Sequence, residues 1–577
     1  MAQTLLIRNV RVFDGSQIIP RIDVLVQNGI ITALENDIAV QQEMQVIDGT
    51  NHTLLPGFID AHTHVYGSAL KDALIFGVTT ELDMFTDCHM AAEIKREQAA
   101  GQGADMADLR SAGTAVTAPG GHCTEYGIPI PTINGPEEAQ EFVDARIAEG
   151  SDYIKIIYSD GSRMPTISKA TLTAVVEAAH RRGKLTVVHI GTLQGAREAI
   201  EVGADGLAHL FVDQSPEAEF GRFVAEHHAF VIPTLTVLES LTGVASGTSL
   251  ASDTDLALYL TRDNVTNLKN KFPFRGTLTY KVAEETIHQL KAAGVPILAG
   301  TDAPNPGTAH GASIHRELEL LVQAGLTPLE ALRAATSVPA NVFGLSDRGR
   351  IVLGLRADLV LLDGNPTEDI TATRRIMSVW KRGMPVDRDA YRTVVEAQHH
   401  EYEHREAPVG SETGLISDFE DGTAKTSFGA GWNISTDSIR GGHSTAQYAV
   451  APDGANGGKG SLLITGNVDP SYSYPWAGVI FFPASVPGQP ANLSDKKGLS
   501  FWAKGDGKQY SVMVLAGSFM AIPGSVSFTV GQEWQLHTFA FSDFDAVDTR
   551  ELLGITIAAG PNHGAFQLQI DDVRLTS

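Results

Sequence analysis

Cysteine is nearly absent, with Cys88 and Cys123 the only two in 577 residues. That excludes a disulfide framework and a Cys-rich zinc module, so any metal must be held by histidine and carboxylate. Positive charge is also scarce: 43 Lys and Arg stand against 68 Asp and Glu, a net charge of −25. Nucleic acid and anionic membrane therefore have no electrostatic footprint here, and neither is expected as a partner. Long apolar runs are missing as well. None reaches the about 18 residues that a membrane helix needs, and the chain enters Leu5-Leu6-Ile7 without a basic leader and cleavage site. The expectation is a soluble protein, cytoplasmic as written, or periplasmic or secreted if an export signal has been removed.

What is present is an ordinary globular balance, 43% hydrophobic and 19% charged, in a chain too long for one core. The first fifty residues alternate apolar and polar positions between Asp14-Gly15, Asn28-Gly29 and Asp48-Gly49 turns, the pattern of short antiparallel strands. The same texture returns at 349–363 and 376–383, so the two ends are expected to pair into one small β domain. Between them apolar runs alternate with helical patterns at 57–64, 78–84, 111–117, 153–158, 185–189, 206–210, 230–237 and 296–302. Eight such strands over about 250 residues predict an α/β fold, a (β/α)8 TIM barrel with its site at the C-terminal strand ends. The domains expected are a composite β-sandwich from 1–55 and 346–388, the barrel at 56–345, a polar linker or exposed helix at 389–412, and an all-β jelly roll at 413–577.

Ionisable residues stand at the ends of these apolar strands. His62 and His64, two residues apart, project to one side and can chelate one ion. Lys155 interrupts an otherwise apolar strand, where an ammonium is costly unless it is paired or modified. His189, His209 and Asp302 end three further strands. His310 and His315 follow the eighth strand and are candidates to line a pocket. His227, His228, His399, His400 and His404 read as surface.

The set of His62, His64, Lys155, His189, His209 and Asp302 resembles the amidohydrolase superfamily. Leu55-Pro56-Gly57-Phe58-Ile59-Asp60, Gly77-Val78-Thr79-Thr80, Pro119-Gly120-Gly121-His122 and 325–331 are similar to its imidazolonepropionase-related, prolidase-like (Xaa-Pro dipeptidase) branch. Two departures bear on substrate: Ala208 stands where that branch often has Glu, and Leu82 where Arg is common. The resemblance implies two divalent ions of the zinc type held by those six residues, with Lys155 N-carboxylated as a bridge. It implies hydrolysis of an amide or peptide-like C–N bond by a metal-bridging hydroxide, as in a dipeptide or N-acyl amino acid. Asp302 would then shuttle the proton, His122 hydrogen-bond the carbonyl oxygen, and Tyr158 and His310 contact a small-molecule substrate in a homo-oligomer. The alternatives are the same metals acting on a lactone, carbamate or phosphoester, or a glycan-binding or partner-binding protein with a vestigial barrel.

Beyond residue 415 the texture is β throughout, and four of the five tryptophans lie there: Trp432, Trp476, Trp502 and Trp534. The segments 415–422, 501–505 and 570–573 resemble the jelly rolls of complex I intermediate-associated protein 30 and carbohydrate-binding modules. That likeness implies glycan or subunit contact. Trp502 is expected in the core, and Tyr472, Tyr474 and Trp476 are the ligand candidates.

Overall fold

The computed structural model describes the chain apart from residues 1–3, 127–128, 160–163, 246, 273–277, 473, 518–522, 545–546 and the side chain at 440. Two compact units are present, Met1–Cys123 with Ile130–Val395, and Thr124–Pro129 with Glu396–Ser577.

In the first unit, parallel strands alternate with helices. Phe58–Thr63, Val78–Asp83 and Asp108–Ser111 form one parallel sheet. Ile154–Ile157, Thr186–His189, Gly206–Ala208 and Phe230–Ile232 form another. Single bridges Val116↔Ile156, Val231↔Ile297 and Thr63↔Ala303 carry the pairing further. Such strands read as continuous apolar runs because both faces are covered. Ile59, Ala61, Leu82, Ala112, Val187, Ala208, Ile232 and Leu298 pack together as one inner cluster. Alternate positions such as Phe58, Ile156, Val188 and Val231 pack instead with helical residues, as a period of two requires. Helices start at side-chain caps: Ser168 accepts from Thr171 N and Thr192 from Gly195 N.

Three predicted strands differ from what the sequence suggests. The third, expected at 111–117, lies at Asp108–Ser111, because Gly113 at φ +63° takes the backbone out of the extended region. The seventh stops at Ile232. Pro233 has no N–H to donate, Thr234 turns left-handed, and Leu235–Leu241 is a helix. The eighth, expected at 296–302, is no regular ladder. Leu298 N donates to Val231 O on one side, Ala61 N to Ala299 O and Asp302 N to His62 O on the other, while Ala299 N is taken by Ala334 O.

The two ends of this unit pair in one eight-stranded sheet, where His52–Pro56 runs antiparallel to Leu359–Asp363. Leu5, Ile7, Val24, Leu54, Leu361 and Trp380 form its core. Buried Asp108 binds Lys381, Arg356 and Arg348 at 2.5, 2.6 and 2.7 Å.

The boundary between units falls inside the helix Arg388–His404, where a polar helix or linker is expected. The second unit is mostly β. Six antiparallel strands, among them Ser461–Val468, Gly498–Gly505 and Gly564–Thr576, make one sheet, and five, among them Ala477–Phe482 and Leu552–Ala559, make the other. Trp432, Phe481, Phe501, Tyr510 and Ile557 fill the core. Trp502 is a correction. Phe501 and Ala503 are fully buried, so alternation turns Trp502 to the opposite face, half-buried, opposite Leu536, which is 55% exposed. Tyr472 donates its hydroxyl to Glu125 O at 2.7 Å, and the ring of Tyr474 is 74% exposed. No described helix is long and apolar enough to cross a membrane.

Candidate metal centre

His62, His64 and Asp302 offer ligand atoms that all lie within 4.8 Å of one another. Oδ1 of Asp302 is 3.3 Å from Nε2 of His62 and 3.0 Å from Nε2 of His64. The ring of His209 lies 4.7 Å from those of both His62 and His189, and His122 lies 5.1 Å from His189. Lys155 is buried, its Nζ 3.5 Å from Nε2 of His62. Six residues scattered over 241 positions of sequence are thus gathered, with His122 at their edge.

The local backbone shows what this convergence requires. Asp302 and His209 are left-handed, at φ 58° and 72°. Non-glycine residues avoid that region, at about 1–3 kcal/mol each, unless their surroundings impose it. Here both neighbours are fixed: Asp302 N donates to His62 O and His209 N to Ile232 O. Gly300 is required for space, since a Cβ there would stand 2.8 Å from His62 Cβ and 2.5 Å from Ile232 Cγ2.

Asp60, two residues before His62, ties the strands together. Its Oδ1 accepts from His62 N and Thr301 N, and its Oδ2 from the Thr301 hydroxyl at 2.7 Å. Burial and then the Glu81 carboxylate push the Asp60 carboxyl up to about 8.

Electrostatics favour neutral imidazoles around one carboxylate. Burial, then the Lys155 ammonium, holds His62 well below the ordinary histidine range. Burial, then His209 and His122, does the same for His189. Burial lowers His209 to about 3 against the pull of Asp302. Burial raises Asp302, but His209 and His62 outweigh it and hold its carboxyl well below the usual range. Burial brings Lys155 down to about 8 although Asp302 opposes it. An amine in that range is partly unprotonated near neutrality, the form able to add CO₂.

These donors fit a divalent ion. Neutral imidazole nitrogens and an ionised carboxylate are the ligand types such an ion takes. Among the described residues, Oδ1 of Asp302 and Nδ1 of His62 are buried without a well-formed hydrogen bond, and a buried unpaired oxygen facing two imidazoles is the kind of orphan a cation satisfies.

The other sequence candidates have identifiable partners. Tyr158 packs in the cluster between strands and helices and donates to Glu198 Oε2 at 2.5 Å. His310 is buried with Nδ1 2.9 Å from Glu81 Oε1. His315 is buried against Phe58, with Nε2 3.1 Å from Phe76 O. The Tyr158 hydroxyl, Nδ1 of His310 and Nε2 of His315 thus each have a partner in the fold, whereas Nε2 of His310 is buried without a hydrogen bond among the described residues. His227, His228, His400 and His404 are exposed and His399 is half-buried. Two residues went unread in sequence: Thr234, whose Oγ1 is 2.8 Å from Nδ1 of His209, and Glu317, which holds the turn at Thr234. The Pro-Thr pair after an apolar run is an ordinary turn signal and carries no mark of this role.

The chain is similar to several known proteins. The chain is 28% identical over 269 residues to ochratoxinase of Aspergillus niger, covering 44% of this chain and 50% of that protein, so it spans half the length of that relative. It is 25% identical over 391 residues to imidazolonepropionase of Deinococcus radiodurans, covering 60% and 87%. A crystal structure of a Xaa-Pro dipeptidase with bound methionine superposes with a TM-score of 0.53 at 24% identity, over 66% of this chain and 99% of that one, a likeness of fold of the TIM-barrel type. Residues 418–569 match the complex I intermediate-associated protein 30 (CIA30) family. Residues 53–386, more than half of the sequence, match the amidohydrolase family, and the chain belongs to it.

Proposed function

We propose that this protein is a metal-dependent hydrolase of an amide or peptide-like C–N bond in a small molecule, of the N-acyl amino acid or dipeptide type. The observation that carries the reading is the convergence of His62, His64 and Asp302 within 4.8 Å, with Lys155, His189 and His209 beside them. In this reading the strands close into a (β/α)8 barrel. His62, His64, His189, His209, Asp302 and an N-carboxylated Lys155 would hold two zinc-type ions.

Such ions, when bound, polarise the scissile carbonyl and lower the pKa of water toward neutrality. Asp302 takes the proton from the attacking water and passes it to the nitrogen of the breaking C–N bond, giving a carboxylic acid and an amine. The His122 ring, 5.1 Å from His189, donates a hydrogen bond to the carbonyl oxygen as negative charge grows there. The relatives named ochratoxinase, imidazolonepropionase and Xaa-Pro dipeptidase support C–N chemistry over the lactone, carbamate and phosphoester alternatives. The protein is further read as a homo-oligomer, with a glycan or subunit met by the C-terminal region, where the exposed ring of Tyr474 supports a contact surface.

The test is to measure bound zinc, and turnover of a panel of N-acyl amino acids and dipeptides, before and after Asp302→Asn. Zinc with the wild type and loss of turnover by about 10²-fold or more in the variant are expected. A metal-free wild type with equal turnover in both proteins would overturn the reading.

A further inference from the structure

We propose that Glu317 is a positioning residue for the ligating face of His209, acting through Thr234; the proposal rests on the metal-dependent reading above. Helix Leu235–Leu241 follows directly on the strand that packs beside His209, and Thr234 is its N-cap. A threonine there ordinarily accepts a hydrogen bond from the N–H two or three residues on. Thr234 does not. It sits at φ 51°, ψ 50°, makes no side-chain cap bond, and places Oγ1 2.8 Å from Nδ1 of His209. β-Branched residues avoid this conformation, so something outside the turn must hold it.

That holder is Glu317, on the helix Ala312–Gln323. Its Oε1 accepts from Leu235 N at 2.9 Å, and its Oε2 from Thr236 N at 2.8 Å and the Thr236 hydroxyl at 2.6 Å. Glu317 is 0% exposed, and these bonds at one turn satisfy both of its oxygens. A carboxylate buried so completely needs such donors to persist. Glu317 therefore performs the cap that Thr234 would otherwise supply, and the threonine hydroxyl is free to meet the imidazole.

The consequence lies in which nitrogen carries the proton. Nδ1 of His209 also lies 3.9 Å from Asp302 Oδ2; with its hydrogen given to Thr234 Oγ1, the lone pair left to ligate is on Nε2, and with Nε2 protonated instead that nitrogen cannot ligate. In this proposal the Thr234 hydroxyl is the acceptor, which selects the Nδ1–H tautomer and fixes the ring plane. The sixth and seventh strands and the helix after residue 311 each contribute one member of this relay. Its length in sequence, 108 residues from His209 to Glu317, hides it from any local motif.

The experiment uses the full chain, stripped of metal and titrated with Co²⁺, reading affinity by chelator competition and ligand field by the visible d–d absorption. Thr234→Val removes the hydroxyl and keeps the shape, Thr234→Ser restores it, and Glu317→Gln replaces an acceptor with a donor. Thr234→Val and Glu317→Gln are expected to weaken Co²⁺ binding by about 10–100-fold and shift the d–d bands, with Thr234→Ser within about threefold of wild type. The double variant is expected to lose no more than Thr234→Val alone. Wild-type affinity and spectrum in Thr234→Val or in Glu317→Gln would overturn the relay, as would additive losses in the double variant. Should Glu317→Gln not fold, Glu317→Asp, which keeps the charge and shortens the reach, is expected to show the same spectral shift, and its absence would overturn the role of Glu317. A wild-type chain that binds no Co²⁺ overturns the metal reading itself, a result distinct from all of these.

Discussion

Asp60 holds Thr301 twice, accepting from its backbone N–H at 3.0 Å and from its hydroxyl at 2.7 Å, and so clamps the residue before Asp302 to the strand that carries His62. The strand that carries His62 and the segment that carries Asp302 are therefore tied to each other by the Asp60 carboxyl group. Asp60→Ala leaves the N–H groups of His62 and Thr301 and the Thr301 hydroxyl buried without acceptors, at about 1–3 kcal/mol for each unsatisfied group. A fall in unfolding free energy of that order is expected in urea titration, with Asp60→Asn falling less because one carbonyl oxygen remains. Equal stability of Asp60→Ala and wild type would refute the clamp.

Asp108 is the centre of the buried ionic group of Lys381, Arg356 and Arg348. Burial raises its carboxyl, but Lys381, Arg356 and Arg348 outweigh that and hold it well below the ordinary 3.8. The folded pKa is depressed, so the stabilisation is complete above 3.8 and is lost as pH falls through the folded value. Asp108→Asn takes the shared counter-charge from three buried cations, leaving Arg348 with Asp347 and Arg356 with Asp347 and Asp358, and breaking such a group costs up to about 3–5 kcal/mol. The difference in unfolding free energy between wild type and variant should be flat from about pH 5 to 8 and shrink on acidification below about pH 4. A difference that grows on acidification would reverse the assignment.

His310 and Tyr158 are occupied structurally, the first by Glu81 and the second by Glu198. Tyr158→Phe removes one hydrogen bond, worth about 0.5–1.5 kcal/mol. His310→Gln strips a buried carboxylate of its partner and is expected to destabilise more. Both should leave KM for a hydrolysed substrate within about twofold of wild type, because the Tyr158 hydroxyl and Nδ1 of His310 are already bonded to Glu198 and Glu81. A large rise in KM at unchanged melting temperature would return either residue to the substrate site.

Phe501 and Trp502 are neighbours on one strand with opposite fates. Phe501 is fully buried among Phe528, Phe539 and His537, whereas Trp502 lies on the outer face. Phe501→Ala should cost about 3–5 kcal/mol and Trp502→Ala much less, since a cavity opens only in the first case. Comparable losses in thermal denaturation of the two variants would place Trp502 in the core after all.

Local chemistry was enough to read a good part of this protein. The His62-x-His64 pair, Lys155 within an apolar strand, and His189, His209 and Asp302 at strand ends stood out because an ionisable group in a buried strand needs a reason, and that argument requires only neighbours in sequence. The β texture of both flanks and of the C-terminal region followed from alternation with a period of two. What sequence could not contain was which partners a side chain finds across the fold. Phe501 and Trp502 look alike until the strand has a face. Tyr158 and His310 follow strand ends as the candidate ligands do, and only the fold shows that their hydrogen bonds run to Glu198 and Glu81. The left-handed turns at His209, Thr234 and Asp302, the Asp60 clamp and the Glu317 cap join positions tens to hundreds of residues apart. They exist only once packing has brought those backbones together and supplied the hydrogen bonds that outweigh the strain.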